Sequence, residues 1–241
     1  RALIIGIIGA IDGPTSIYVS GLLAPHMLGP ITVAAYSYMS LVPIIMPPVI
    51  YALTTKHERS IRMEYASRKL STRTRIMFPI IVTVMVGILV PFATPLIGML
   101  MLGNLMKESG AVERLTNASS NEIANTVTLF LGLAVGGTMV GADFLKYSTL
   151  FILGLGLLAF GVDCAAGVIF AKILNVITGG KVNPIIGAAG ISAFPMSGRV
   201  VNKLGLEEDN QNFLLMYSIS VNVSGQIASV IAGGLILTLM A

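Results

Sequence analysis

Long apolar runs broken by short polar stretches set the pattern of this chain. Ala2 to Ile11 is apolar and runs into Asp12-Gly13-Pro14-Thr15, and a second apolar piece, Ile17 to Ala24, ends at Pro25. Ten helical residues reach only ~15 Å, half of a ~30 Å hydrocarbon core. Two half-spans around a polar Pro/Gly break predict a discontinuous helix. Leu28 to Leu53 predicts a full span carrying Tyr36, Ser37, Tyr38 and Ser40, then Pro43, Pro47 and Pro48. Ile76 to Met106 is too long for one straight span, about 46 Å at helical rise. Its Pro79, Pro91 and Pro95 predict a span to about Val90 and then a shorter arm. Residues 107–122 read as a polar loop. Ile123 to Val140 reads as a span whose Gly132, Gly136 and Gly137 suit close helix packing. Phe144 to Ile177 predicts either one long or tilted span, or two pieces broken at Asp163. Leu206 to Asn212 is an acidic loop, and Phe213 to Ala241 the last span.

One stretch departs from this pattern. Asn183-Pro-Ile-Ile-Gly-Ala-Ala-Gly-Ile-Ser-Ala-Phe-Pro-Met-Ser-Gly-Arg199 holds prolines, glycines, hydroxyls, an amide and a guanidinium inside an apolar sequence. Broken backbone at membrane depth survives only inside protein or beside a water-filled cavity. The stretch is therefore a loop outside the bilayer or a substrate site within it. The two breaks begin similar units. Asp12-Gly-Pro-Thr15 is followed by Tyr36-Ser37 on a span, and Asn183-Pro184 by Tyr217-Ser218 on a span. Matching Pro-interrupted segments in two halves predict inverted repeats with the site at the breaks.

Composition settles the class. The chain is 55% apolar and 11% charged, against roughly 25% charged in a soluble domain, and its mean hydropathy is +0.87. This is an all-α polytopic membrane protein with discontinuous, Pro/Gly-broken helices. The apolar runs are continuous, whereas a β-barrel would alternate. Arg1 is not a starting Met and apolar sequence follows at once, so 1–241 reads as the C-terminal part of a longer subunit. Charge refines the topology. Lys56, Arg59, Arg62, Arg68, Lys69, Arg73 and Arg75 crowd residues 54–75, which places that basic loop in the cytoplasm. The net charge of +4 is local to that loop and implies no nucleic acid. The single cysteine, Cys164, excludes an internal disulfide, and His26 and His57 form no ligand cluster.

The polar residues inside the spans need a cause. A carboxylate near a bilayer centre costs ~2.5–3.5 kcal/mol even on the mildest scale. Asp12 therefore either sits in a cavity, paired or bound to a cation, or caps a helix at the membrane surface. Carboxylate, amide, hydroxyl and freed carbonyl oxygens from Asp12, Asn183 and Ser192 suit a hard cation such as Na⁺. Arg199 can grip a carboxylate in a bidentate fork, anchor the membrane edge, or pair with Asp12. Tyr38 and Asn222 could satisfy each other or nearby backbone. Asp163 has no partner by spacing. There is no P-loop, dinucleotide fingerprint, His-Glu-x-x-His or nucleophile elbow.

The segments GAIDGPTSIY (9–18), VAAYSYMSLVP (33–43), TLFLGL (128–133), FAKILN (170–175), NPIIGAAGISAFPMSGRVVNK (183–203) and QNFLLM (211–216) carry a family resemblance. With them the chain resembles the β subunit of the sodium-ion-translocating, biotin-dependent decarboxylases, which act on oxaloacetate, methylmalonyl-CoA, glutaconyl-CoA or malonate. The resemblance runs essentially the whole length. It implies a membrane subunit that decarboxylates carboxybiotin and couples this to Na⁺ export across the cytoplasmic membrane. It implies biotin on a carboxyltransferase (α-type) partner, a small γ-type membrane subunit, a trimer of this subunit, and an elevator-like architecture. It places catalytic roles on Asp12, Tyr38, Ser192 and Arg199, carboxybiotin contacts on Arg199 and Gly187, and Na⁺ contacts on Asp12, Asn183, Ser192 and Asn222. This chain departs from many relatives in having Tyr217 and Asp163. The alternative from another class is a secondary transporter of an organic anion coupled to Na⁺ or H⁺, built on the same broken helices.

Overall fold

The computed structural model describes residues 9–10, 12–63, 70–137, 141 and 146–240. Most of the basic loop's Arg68 and Lys69 neighbourhood, and nearly all of the Ala2–Ile11 half-span, lie outside them. The longer helices are α1 (Gly13–Leu23), α2 (Leu28–Leu53), α3 (Thr72–Leu89), α4 (Thr94–Ser109), α5 (Ala124–Gly137), α6 (Tyr147–Ile177), α7 (Met196–Glu208) and α8 (Leu215–Met240). No strand occurs among the described residues. Among the described residues, four segments are long and apolar enough to cross a membrane: Pro25–Leu53, Thr72–Leu89, Thr149–Ile177 and Leu215–Met240. The chain is a multi-pass helical membrane protein.

Each break has a local cause. The α1 helix starts because Asp12 caps it: Oδ1 accepts from the Thr15 amide at 3.0 Å, and Pro14 follows in the first turn. In α2 the three prolines lie inside an unbroken helix. One seam of that helix, Ile31, Ala34, Tyr38, Val42, Met46 and Ile50, is buried at the three-to-four spacing of a packed helical face. Pro91 ends α3 and a short 3₁₀ turn (Pro91–Ala93) folds α4 back against it. The sequence placed this hairpin correctly. It misread two other places. Residues 107–122 are mostly helical: α4 runs to Ser109, and Glu113–Ala118 and Ser119–Ile123 form further helical turns. Gly132, Gly136 and Gly137 face open space, with no helix packed on them among the described residues. Of the two readings of the segment that ends at Ile177, the single long span holds: helix α6 is continuous through Asp163 for 31 residues, about 46 Å.

The centre of the fold is the stretch after α6. Helix α6 ends in two left-handed glycines, Gly179 (φ 68°) and Gly180 (φ 85°), and the Gly180 amide bonds the Asn175 carbonyl at 2.9 Å. The chain then enters as a 3₁₀ arm, Pro184–Gly190, turns through 191–195, and leaves as α7. Both ends of this hairpin are tied to Arg59, just beyond α2. The Arg59 carbonyl accepts from the Asn183 amide at 2.9 Å, and its guanidinium pairs with Glu208 at 2.6 Å. It is a re-entrant hairpin between α6 and α8. Close approach on both sides requires glycine. A Cβ on Gly187 would overlap the Gly167 carbonyl of α6, and one on Gly225 of α8 would overlap the Gly190 carbonyl. Helix α8 also packs on the α3–α4 hairpin through Val230 against Val86, Val90, Ala93, Ile97 and Met101.

Candidate functional site

The tip of the re-entrant hairpin meets the other break. The Ser192 amide donates to the Ala10 carbonyl at 2.9 Å, so the two interrupted segments join where each has left helical geometry. Asp12 lies at this junction, buried at 7% exposure. Its Oδ2 receives the Ser192 hydroxyl at 3.3 Å and the Ser229 hydroxyl of α8. The two hydroxyls are 2.7 Å apart. Three elements remote in sequence thus close on one carboxylate. The sequence left Asp12 as either a surface cap or a cavity residue; it is a cap that is buried, with one oxygen capping α1 and the other facing Ser192 and Ser229.

Among the described residues, buried polar oxygens without a hydrogen-bond partner include Thr15 Oγ1 and Ser16 Oγ on α1, and Asn222 Oδ1 and Ser218 Oγ at increasing distance from Ser229 along α8. Asn222 donates through Nδ2 to the Ile191 carbonyl at 2.6 Å, beside Ser192. Ser218, Asn222 and Ser229 stand at i, i+4 and i+11, which is one face of α8. They are spaced about 6 and 10 Å along its axis. An unmade bond on a buried polar atom costs about 1–3 kcal/mol. A row of such atoms beside a carboxylate is the arrangement that a passing cation, with its water, would satisfy. Among the described residues no three His, Cys, Asp or Glu side chains cluster as a metal set. The donors here are one carboxylate with hydroxyl and amide oxygens, the set for a hard monovalent ion.

Other expected site residues fall elsewhere. Asn183 does not join Asp12. Its Nδ2 bonds the Arg59 and Ile61 carbonyls at 2.9 and 2.8 Å, and its Oδ1 accepts the Ile185 amide at 3.1 Å. Those bonds hold it at the basic-loop end of the hairpin, where it caps the 3₁₀ arm. Tyr38 is buried and donates to the Leu153 carbonyl of α6. The tyrosine beside the Asp12 turn is Tyr36: a Cβ on Gly13 would lie 2.8 Å from its Cζ. Gly187 is half-buried and packs closely on Gly167 and Ala171 of α6, where a Cβ would overlap. Arg199 is exposed on the first turns of α7, without an ion pair among the described residues, and does not pair with Asp12. Its neighbour one turn on, Lys203, lies 3.7 Å from Glu207 and lines a cavity of about 220 Å³ between α2 and α7.

Sequence reasoning passed over Ser229, although its seven-residue spacing from Asn222 was visible. It also left Asp163 without a place. Both line a cavity of about 310 Å³ with Ala10, Gly190, Ile191 and Ser192.

With this geometry in view, comparison with known proteins is informative. Residues 1–240 match the family described as "Na+-transporting oxaloacetate decarboxylase beta subunit". The chain is 55% identical over 237 residues to "Oxaloacetate decarboxylase beta chain 2" of Salmonella typhimurium, covering 98% of this chain and 54% of the relative. It is 55% identical, with the same coverage, to "Oxaloacetate decarboxylase beta chain" of Klebsiella pneumoniae. It is 50% identical over 239 residues to "Methylmalonyl-CoA decarboxylase subunit beta" of Propionigenium modestum, covering 99% of this chain and 60% of the relative. The chain spans about half the length of the curated relatives it matches.

Proposed function

The chain belongs to the Na+-transporting oxaloacetate decarboxylase beta subunit family, and on that premise we propose that it forms the cation-handling core of a sodium pump driven by decarboxylation of carboxybiotin. The observation that carries this reading is the convergence of Ser192 and Ser229 on the buried carboxylate of Asp12. Asp12 supplies the charge for Na⁺, and Ser192 and Ser229 turn hydroxyl oxygens toward it. The unpartnered oxygens of Ser218 and Asn222 offer a path along α8 from the basic-loop end, which the positive-inside rule assigns to the cytoplasm. Exporting each Na⁺ against 100 mV requires about 2.3 kcal/mol.

The fit to carboxybiotin rests on Arg199. Arg199 is exposed on the hairpin and has no ion pair among the described residues, and its fork matches a carboxylate. Loss of CO₂ from carboxybiotin supplies the energy. Arg199 orients the carboxylate, and the Ser192–Ser229 pair lies in position to relay a proton to or from Asp12. Asn183 and Gly187 act by holding the hairpin against the Arg59 turn and α6, and Tyr38 acts by joining α2 to α6. A biotin-carrying α-type subunit, a γ-type subunit, trimer formation, inverted repeats with elevator-like movement, and a bacterial or archaeal cytoplasmic membrane complete the proposal. The meeting of the two breaks supports the repeat. The test is reconstitution of the complete subunit with its partners in vesicles. Na⁺-dependent decarboxylation blocked by avidin supports the reading. Na⁺-coupled uptake of an organic anion that avidin does not touch would replace it with a secondary transporter.

A further inference from the structure

The cavity of about 220 Å³ between α2 and α7 stands apart from the sodium site. Pro43, Pro47 and Leu204 give it apolar walls, and Tyr51, Lys203 and Glu207 give it a polar rim. Tyr51 and Glu207 stand where α2 and α7 meet the basic loop, so the rim lies on the side that the positive-inside rule assigns to the cytoplasm. Pro43 lies about 12 Å deeper along α2. Val200, next in sequence to Arg199, also lines the cavity.

Its chemistry describes a ligand. Arg199 and Lys203 share the exposed face of α7 at i, i+4 spacing, about 6 Å apart along its axis. Like charges at this spacing repel, and an anion between them relieves the repulsion. Lys203 is free to take one. Its Nζ lies 3.7 Å from Glu207, with the two side chains 78% and 47% exposed, and such a pair contributes little. The wall adds an acceptor. Pro47 has no N–H to give the carbonyl of Pro43 four residues before it, and both residues line the cavity. A carbonyl without its helical donor takes one from elsewhere. The matching ligand has a carboxylate at one edge, an N–H at another and an apolar ring between them. The volume is below the ~300–1,000 Å³ usual for drug-sized ligands, which suits one small ring system and not a nucleotide-bearing thioester.

We propose that the α2–α7 cavity seats the carboxylated cyclic-urea ring of carboxybiotin, with Lys203 as a second cation beside Arg199 on its carboxylate and the Pro43 carbonyl accepting its remaining N–H. Glu207 holds Lys203 while the cavity is empty and gives it up to the ligand. Tyr51, with the Arg59 guanidinium 4.7 Å over its ring, fixes the rim. This rests on the reading of Arg199 as the group that grips carboxybiotin.

The experiment footprints lysines in the complete complex. Its biotin is carboxylated with oxaloacetate or methylmalonyl-CoA, and Na⁺ is withheld so that the carboxyl group stays in place. A short pulse of acetic anhydride follows, and mass spectrometry reads modification of Lys203 and of Lys181, which is exposed at the start of the hairpin and does not line the cavity. Carboxylation should protect Lys203 severalfold over the uncarboxylated complex and leave Lys181 unchanged, and avidin should remove the protection. Equal modification of Lys203 with and without carboxylation overturns the site, and so does equal protection of both lysines, which would mean that a partner covers the whole face. The second readout is single-turnover release of labelled CO₂ when Na⁺ is added. Lys203→Ala should slow release at least about tenfold, the effect of one charged hydrogen bond. Lys203→Arg should regain most of the rate, and Glu207→Gln should release CO₂ faster than the parent. A common loss in Lys203→Ala and Glu207→Gln would mean that only their mutual pair matters, and overturns the ligand role. Lys203→Ala should bind Na⁺ with parent affinity; a parallel fall in Na⁺ affinity makes the residue structural and overturns it too. Absence of Na⁺-dependent, avidin-sensitive CO₂ release from the parent overturns the reading beneath the proposal instead.

Discussion

The two ends of the re-entrant hairpin and its tip are built from similar polar residues and behave as opposites. At the ends, most of the polar groups are tied to one another, the buried Asn212 Oδ1 excepted. Arg59 alone ties Glu208 by its Nε, the Thr54 carbonyl by Nη1, and Asn183 and Asn212 through its own carbonyl, and its guanidinium lies 4.7 Å over the Tyr51 ring. Arg62 pairs with Asp209 and bonds Gln211, while Lys172 joins Glu58 to the end of α2. At the tip, a buried carboxylate is held by two hydroxyls and an amide, beside a cavity and a row of unpartnered oxygens. The ends are polar in order to fix a position. The tip is polar in order to exchange partners. Satisfied networks rigidify, and unsatisfied ones mark places where something else must bind.

Breaking each region should separate these roles. The largest effect is expected at the tip, where Asp12→Asn should lower Na⁺-dependent turnover by about 100-fold; Asp12→Asn turnover within a few-fold of the parent would refute the site. Next is the clamp that presents the tip. Gly225→Ala puts a methyl into the Gly190 carbonyl and should cost about 3 kcal/mol, measured as a lowered unfolding temperature in detergent together with loss of Na⁺ binding.

At the ends the effects should be smaller and structural. Arg59→Ala removes charged hydrogen bonds from a mostly buried position and should destabilise by about 1.5–3 kcal/mol. Its remaining folded fraction should bind Na⁺ with near-parent affinity. If the affinity instead falls as far as in Asp12→Asn, the division between ends and tip is wrong. The smallest effect concerns Glu58. Burial pushes its carboxyl up, but the Thr55 amide, the Lys172 ammonium and the Thr55 hydroxyl outweigh this, and its pKa is lowered overall. A lowered folded-state value stabilises above the unfolded pKa of about 4.3, and that gain disappears as pH falls through the folded value. Unfolding of Glu58→Gln should therefore differ from the parent at pH 6 and converge with it below about pH 4. A difference that grows on acidification would contradict the assignment.

Much of the architecture was legible beforehand. Apolar runs gave the spans, Pro91 gave the α3–α4 turn, and Asp12 and Asn183–Arg199 were marked as breaks because Pro and Gly cannot sustain a lipid-facing helix. Polar 107–122 was misread because helical turns outside an apolar environment leave no strong periodic signal. The glycines of α5 were misread because small residues permit close packing without specifying a partner. At the site, residue type was a fair guide and location was not. Asn183 and Ser192 belong to one motif, yet the arm between them carries the first to Arg59 and the second to Asp12.

What the sequence determined by itself is therefore a membrane protein with two interrupted segments and a short set of polar groups that need partners. That follows from local physics: the cost of charge in lipid and the backbone limits of Pro and Gly act wherever those residues stand. Only the tertiary structure decided which partners meet. Asp12 and Ser192 are 180 positions apart, and Asp12 and Ser229 are 217. Their contact depends on glycines at 187 and 225 that let the hairpin slide between α6 and α8. The same packing brings Asp163 to the shared cavity and takes Tyr38 to the Leu153 carbonyl. Helical periodicity says which way a side chain points from its own helix; the depth and neighbour it finds there are set by how the other helices pack.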